Sequence, residues 1–246
     1  MNPQIIFSDA NLVVINKPSG MIVNKADTNR DLFTVQDWIL QNFKLKTESL
    51  KDAADSEFLK RGGIVHRLDK ETSGVLIIAL NEDAFVFLQQ QFKEREVKKE
   101  YVALCHGKMI EEGEINVPIG RLPWNRTRFG VIPRGRESYT KFKTLSHYVF
   151  KEGRVSEELS LVRVLPLTGR THQIRVHMQY AGHPIFADSL YGGRKAYARD
   201  KRYLNRHFLH AQKLTIKNPE TKKLTTFEAP LSQELVSFLK LLTVVR

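Results

Sequence analysis

The stretch His66-Arg67-Leu68-Asp69-Lys70-Glu71-Thr72-Ser73-Gly74 runs without interruption into Val75-Leu76-Ile77-Ile78-Ala79-Leu80. An apolar run of this length, opened by a Ser-Gly turn and followed by Asn81-Glu82-Asp83, predicts a fully buried central strand that leads into a helix. Asp69 therefore falls on a loop at the edge of a rigid sheet, where a side chain can reach a cleft while the scaffold fixes its position. It stands between two cations, Arg67 and Lys70. Taken alone, Asp69 and Thr72 would only close the turn with side-chain to backbone hydrogen bonds, the commonest use of both residue types in loops.

Working outward, Ile5–Phe7 and Leu12–Asn16 read as two short strands joined around Asp9-Ala10-Asn11, with a turn at Pro18-Ser19-Gly20. A helix follows, capped by Thr34 with Asp37 three residues on, and Val35, Trp38, Ile39 and Phe43 fall on one face. Trp38 reads as core. Residues 44–61 are polar and poorly periodic, which predicts a loop or irregular insertion. Beyond the buried strand, Phe85, Leu88 and Phe92 recur at helical spacing behind an Asn81 cap, and Tyr101–Leu104 returns as a strand. That alternation predicts a mixed α+β sheet. Leu235, Phe238, Leu239 and Leu242 behind Ser232 predict a C-terminal helix packed on it.

The 246 residues suffice for a full core, as one domain or two small lobes. A formal net charge of +12 favours a polyanionic partner, because a potential of that sign attracts phosphates and speeds encounter. The single cysteine, Cys105, excludes an internal disulfide framework and a cysteine-cluster metal site, and a reducing cytoplasm is the natural setting. No apolar stretch approaches the roughly 18 residues of a membrane span, so no membrane association is expected. The N-terminus also lacks the pattern of a secretory signal. His172 and His177 lie five apart, His66 and His183 add no ligand spacing, and all four read as structural hydrogen-bonding groups. No phosphate-binding glycine loop or dinucleotide fingerprint occurs.

Two stretches concentrate basic charge. The first carries Arg121, Arg126, Arg128, Arg134, Arg136, Lys141 and Lys143, interleaved with Trp124 and Phe129. Arginines bind phosphates and aromatics stack on unpaired bases, which makes the five arginines candidate RNA-binding residues. A solvated basic loop with a locally packed Trp124 explains the same pattern. The second, Arg194 to His207 with Tyr197 and Tyr203, has the same two readings.

The string H-R-L-D-K-E-T-S-G resembles the catalytic motif of the RluA-type pseudouridine synthases. Val13-Val14-Ile15-Asn16-Lys17-Pro18-Ser19-Gly20 is similar to the family's N-terminal motif, and Lys99-Glu100-Tyr101-Val102-Ala103-Leu104 to its tyrosine-bearing strand. Its third motif resembles Gly169-Arg170-Thr171-His172-Gln173-Ile174-Arg175-Val176-His177-Met178, continuing through Gly182-His183-Pro184-Ile185 to Asp188-Ser189-Leu190-Tyr191-Gly192. The blocks keep the family's order from about Leu12 to about Leu214.

The resemblance implies an α+β pseudouridine synthase fold, with a largely antiparallel central sheet, flanking helices and an active-site cleft. It also implies a single catalytic domain over residues 1–246, without a separate N-terminal RNA-binding module. The implied activity is isomerisation of specific uridines in structured RNA, ribosomal RNA before transfer RNA, with no cofactor and no obligatory protein partner. Asp69 is the implied essential carboxylate, Arg175 the cation paired with it, and Tyr101 the residue that stacks on the target base. Arg67 is similar to the family residue associated with extruding that base, and His66, Leu68 and Arg170 are further substrate-binding candidates. By residue pattern alone, Tyr101 is a sheet-core tyrosine, Arg67 a solvated loop arginine, and Arg175 a surface residue of a helix that buries Ile174, Met178 and Ala181 and ends at Gly182.

Two other classes remain to be weighed. A non-catalytic RNA-binding or ribosome-assembly factor on the same fold has no chemical need for Asp69, Tyr101 and Arg175 together. An RNA hydrolase would need a metal site or a convincing paired acid and base, and neither is apparent.

Overall fold

The computed structural model describes residues 2–25, 31–46, 56–153 and 155–245. The chain divides into two compact units, residues 1–98 with 211–230 and residues 99–210 with 231–246.

The first unit holds strands β1 (Gln4–Ser8) and β2 (Leu12–Lys17), helices α1 (Val35–Asn42) and α2 (Glu57–Lys60), strand β3 (Ser73–Ala79) and helix α3 (Glu82–Lys93). Most of β10 (Leu209–Lys217) and all of β11 (Leu224–Glu228) complete it, in the sheet order β1-β2-β3-β10 with β11 beside β10. Every residue of β3 is buried, as its apolar run requires. β2 lies antiparallel to it, with Leu12 opposite Ala79 and Lys17 opposite Gly74. Thr34 and Asp37 form a reciprocal capping box on α1, satisfying two otherwise orphaned N–H groups. Asn81 caps α3 by accepting from the Ala84 N–H at 2.9 Å, and its amide donates to Asn11 Oδ1, tying that helix start to the β1–β2 turn. Leu12, Val14, Phe58, Val75, Ile77, Phe85, Leu88, Leu214 and Phe227 share one core. Each such side chain contributes roughly 1.5 to 3 kcal/mol by leaving water.

The second unit holds β4 (Lys98–His106), β5 (Glu112–Asn116), the β6 (Ile119–Leu122) and β7 (Asn125–Val131) hairpin, and the long strands β8 (Tyr139–Glu152) and β9 (Val155–Pro166). Helices α4 (Gln173–Tyr180), α5 (Arg194–Asp200) and α6 (Gln233–Lys240), with strand β12 (Thr243–Val245), follow. The order is β4-β9-β8-β12 with β5 on β8, and the β4–β9, β8–β9, β5–β8 and β8–β12 ladders are antiparallel. Phe186 and Phe238 stack with centroids 4.6 Å apart, and Phe150 meets Phe186 edge-on at 5.6 Å, at the centre of this unit's core.

Several expectations need correction. α1 ends at Asn42, and Phe43 continues in extended conformation while its ring remains against Trp38. The expected irregular insertion contains α2, nucleated where Phe58 buries against Phe85 at 5.5 Å; residues 47–55 lie outside the described residues. The stretch from Arg121 is a hairpin and then β8, rather than a loop, because Ile119 joins Tyr191 and Val176 in a small core with Phe129 and Val131 packed against it. Ala181 is the exposed C-cap of α4 and outside its buried face. α6 closes at Lys240, and Leu242 buries beyond its end.

Three arginines of the second basic stretch are engaged in ion pairs. Arg199 reaches Glu157 at 2.5 Å and Asp200 at 3.0 Å, Arg202 reaches Glu152 at 2.8 Å, and Arg206 reaches Glu234 at 2.5 Å. Buried His106 completes this network with Nδ1 2.8 Å from Glu157 and Nε2 2.8 Å from Asp200. Burial opposes its charged form, but hydrogen bonds to the two carboxylates prevail and raise its pKa to about 9. The Glu157 carboxyl is also opposed by burial, yet His106 and Arg199 hold it below its ordinary value. Among the described residues, no helix is long and apolar enough to cross a membrane.

Candidate active site

Asp69 is half-buried on the turn that enters β3, and the turn is closed by the Thr72 N–H donating to the Asp69 carbonyl at 3.1 Å. The loop after β2 grips the same turn. Lys17, fully buried, donates through Nζ to the carbonyls of Pro18 at 2.8 Å, Met21 at 2.9 Å and Lys70 at 3.1 Å. The Gly20 N–H donates to the Lys70 carbonyl at 2.8 Å, and Ser19 Oγ donates to the Glu71 carbonyl at 2.9 Å. Three carbonyl dipoles around an ammonium compensate for its loss of water and hold two separated segments together.

The neighbours of Asp69 divide the labour. Leu68 is buried and anchors the turn, whereas Arg67 is exposed. His66 Nε2 accepts the Ile77 N–H at 3.0 Å, and the ring stacks on Phe92 with centroids 4.7 Å apart. An accepting Nε2 carries no proton, so His66 acts here as a neutral brace between the turn and β3. Gly74 is required at the start of that strand. Its φ is +117°, and a Cβ there would lie 2.1 Å from the Ala211 carbonyl oxygen.

In the second unit, Tyr101 is partly buried on β4 opposite Val164 of β9, and its ring packs against the core. Arg175 lies on α4 and is 4% exposed, so the expectation of a surface residue fails. The physical reason is Asp188. Arg175 Nε donates to Asp188 Oδ2 at 2.7 Å and Nη2 donates to Oδ1 at 2.9 Å, a bidentate pair that compensates for burial of both charges. Burial opposes the Asp188 carboxylate, but Arg175 outweighs it and keeps the carboxyl below its ordinary range. Arg170 donates from Nε to the Glu137 carbonyl at 3.2 Å.

Gln173 locks the entry to α4 onto β8. Its Oε1 accepts from Thr168 Oγ1 at 2.7 Å and the Arg170 N–H at 3.0 Å, while Nε2 donates to the Tyr139 carbonyl at 3.1 Å and Thr140 Oγ1 at 2.9 Å. The other histidines have similar structural work. His172 Nδ1 lies 2.9 Å from Tyr191 Oη, His177 Nδ1 2.9 Å from Thr140 Oγ1, and His183 Nδ1 2.9 Å from the His106 carbonyl. Burial lowers the pKa of His177.

The β6–β7 hairpin turns through Pro123 and Trp124, and Trp124 is 78% exposed rather than packed locally. Arg121, Arg126, Arg134 and Arg136 are exposed on and after the hairpin. Arg128 differs. Its guanidinium donates to the Leu190 carbonyl and lies over the Tyr191 ring, so it binds the hairpin to its own unit.

Residues 11–180 match the sequence profile of the RNA pseudouridylate synthases. The chain belongs to the RNA pseudouridylate synthase family. It is 33% identical over 240 residues to the ribosomal large subunit pseudouridine synthase D of Nitrosomonas europaea, covering 96% of this chain and 64% of that protein. Its identity to the Buchnera aphidicola protein of the same name is 35%, covering 96% of this chain and 72% of the relative. The chain thus spans about two thirds of the length of these relatives. Among solved structures, human RNA pseudouridylate synthase domain containing 1 superposes with a TM-score of 0.73 at 28% identity, covering 99% of this chain and 89% of that one. The α+β pseudouridine synthase fold expected from the motifs is the fold observed.

Of the residues expected at a pseudouridine synthase site, His66, Arg67, Leu68 and Asp69 share one turn of the first unit, and Tyr101, Arg170 and Arg175 lie in the second. Lys17, Gln173, Asp188 and Tyr191 were given no individual role by sequence reasoning. All four lie inside the motif blocks that carry the resemblance, and their burial is the signal that periodicity could not supply.

Proposed function

We propose that this chain isomerises specific uridines to pseudouridine in structured RNA, ribosomal RNA first. The observation that carries the reading is Asp69: a half-buried carboxylate on a turn held by the fully buried Lys17, within the motif that the family match covers. The names of the bacterial relatives supply the ribosomal preference. In the reaction the N1–C1′ glycosidic bond breaks, the freed uracil turns, and a C5–C1′ bond forms. A proton leaves C5 and N1 gains one, so the product is an isomer and no cofactor is consumed.

In this reading Asp69 acts as its carboxylate, either by attacking C1′ or by removing a proton from the sugar and later returning it. Tyr101 offers a ring to the target base and a phenol for the C5 proton. Arg175 supplies the fixed positive charge that favours the ionised carboxylate. Extruding a base from folded RNA costs a few kcal/mol, and exposed Arg67 has a guanidinium plane suited to filling the gap and pairing with phosphate. The exposed hairpin arginines and Trp124 select and hold the RNA around it.

The test is tritium release from RNA labelled at uridine C5, comparing wild type with Asp69→Asn on separate ribosomal and transfer RNA pools. Release from the ribosomal pool by wild type alone supports the reading. Release confined to the transfer RNA pool moves the substrate, and no release from either pool with RNA binding intact overturns catalysis in favour of an assembly factor.

A further inference from the structure

We infer that Asp188 and Tyr191 are positioning residues that together fix the guanidinium of Arg175, and that Tyr191 also fastens it to the β6–β7 hairpin. The inference rests on the reading of Arg175 given above as part of the reaction machinery. A guanidinium is planar, so two constraints define its attitude: one within its plane and one on its face. Asp188 supplies the first by accepting from Nε and Nη2 along one edge, at 2.7 and 2.9 Å. Tyr191 supplies the second, with its ring centroid 5.1 Å from Arg175 Cζ. The two holders are themselves joined, because Asp188 Oδ1 accepts the N–H groups of Leu190 at 2.9 Å and Tyr191 at 3.0 Å. Asp188 is fully buried and Tyr191 is 3% exposed, so neither is free to drift.

Tyr191 has further contacts than holding one arginine would require. Its hydroxyl accepts the Phe129 N–H of β7 at 3.1 Å and lies 2.9 Å from His172 Nδ1 at the start of α4. Arg128 of β7 lies over the same ring at 5.3 Å and donates to the adjoining Leu190 carbonyl. His172 holds a left-handed backbone, φ +56°, which a non-glycine residue keeps only when its surroundings enforce it. Phe129 meets the His172 ring edge-on at 5.7 Å. The hairpin that presents Trp124 and the helix that presents Arg175 are therefore registered through one tyrosine. The ring orients the arginine, and the hydroxyl sets where the hairpin sits against it.

The two parts of Tyr191 separate by mutation. Tyr191→Phe keeps the ring and loses the hydroxyl, whereas Tyr191→Leu removes the face. Asp188→Asn keeps the shape and loses the charge. The first readout is the Nε–Hε nuclear magnetic resonance signal of Arg175, assigned by its disappearance in Arg175→Lys. In wild type it is slowly exchanging and displaced by the ring. Tyr191→Leu moves it toward the position of an unstacked arginine, Asp188→Asn speeds its exchange, and Tyr191→Phe leaves it nearly in place.

The second readout is steady-state tritium release. Misplacing a reacting group by about 1 Å can cost on the order of 100-fold, so Asp188→Asn lowers kcat by that order with KM unchanged, per folded molecule. Tyr191→Leu lowers kcat by the same order and also raises KM, because it loses the hydroxyl with the ring. Tyr191→Phe retains kcat and raises KM, because only the hairpin is loosened. An Arg175 signal indifferent to both Tyr191→Leu and Asp188→Asn overturns the inference, as does a loss of activity that follows the folded fraction alone. If wild type releases no tritium while the signal responds as described, the positioning geometry stands and the reading of the reaction fails.

Discussion

Lys17 Nζ lies 3.1 Å from the carbonyl oxygen of Lys70, so a fully buried ammonium on β2 holds the residue that follows Asp69. Lys17→Met keeps much of the volume and leaves the carbonyls of Pro18, Met21 and Lys70 without that donor. A buried acceptor left unsatisfied costs about 1 to 3 kcal/mol, so the variant loses at least about 2 kcal/mol in urea unfolding. Tritium release per folded molecule should also fall, because the turn bearing Asp69 is no longer held. Retention of both stability and release would show that the grip on the turn is dispensable.

Two glycines with positive φ separate strain from collision. Gly20 has φ +86° and open space within 4 Å of where a methyl group would sit, whereas Gly74 has φ +117° and the Ala211 carbonyl oxygen at 2.1 Å from that position. Gly20→Ala should cost about 1 kcal/mol, from backbone strain alone. Gly74→Ala should cost more than about 3 kcal/mol, since β3 and β10 must part to admit the methyl group. Chemical denaturation of the pair checks the ranking.

The network around His106 gives stability a defined pH window. Its folded pKa of about 9 lies above the ordinary 6.5, so its contribution is fully present below 6.5 and disappears as pH rises through 9. Glu157 is held below its ordinary 4.5, so its contribution is present above that value and disappears as pH falls through the lowered one. For this network stability should therefore peak between about 4.5 and 6.5. His106→Gln should lower the peak and flatten the alkaline limb of a melting-temperature profile. An unchanged slope between pH 7 and 9 would assign that limb to other groups.

Arg126 and Arg128 are two residues apart on β7 and should behave oppositely. Arg126 is exposed, and its reversal to Glu should weaken RNA binding, reduce the salt slope by about 1 and leave the melting temperature unchanged. Arg128→Ala should instead destabilise by about 1 to 3 kcal/mol, because the Leu190 carbonyl loses its donor. Filter binding at several salt concentrations, paired with thermal unfolding, distinguishes the two.

Local patterns were legible where one periodicity dominated. The apolar run at Val75–Leu80 announced β3, and the Thr34–Asp37 pair announced the start of α1. What the sequence left open depends on contacts between distant residues. Arg175 is buried because Asp188, thirteen positions on, folds back to meet it, and nothing in the local helical pattern indicates this. Arg128 and Arg126 look alike in sequence, yet only Arg128 faces Leu190 and Tyr191. α2 forms among polar residues because Phe58 finds Phe85, a partner that no local window contains.

The chain's two tryptophans report on opposite conditions. Trp38 is 6% exposed beneath the capping box of α1, and Trp124 is 78% exposed at the hairpin tip. The first should emit in the blue and be shielded from iodide, and the second should emit in the red and be quenched by it. An RNA that stacks on Trp124 extinguishes only the red component, while unfolding of the first unit converts the blue one to red. The unlabelled protein thus carries separate optical signals for occupancy and for integrity.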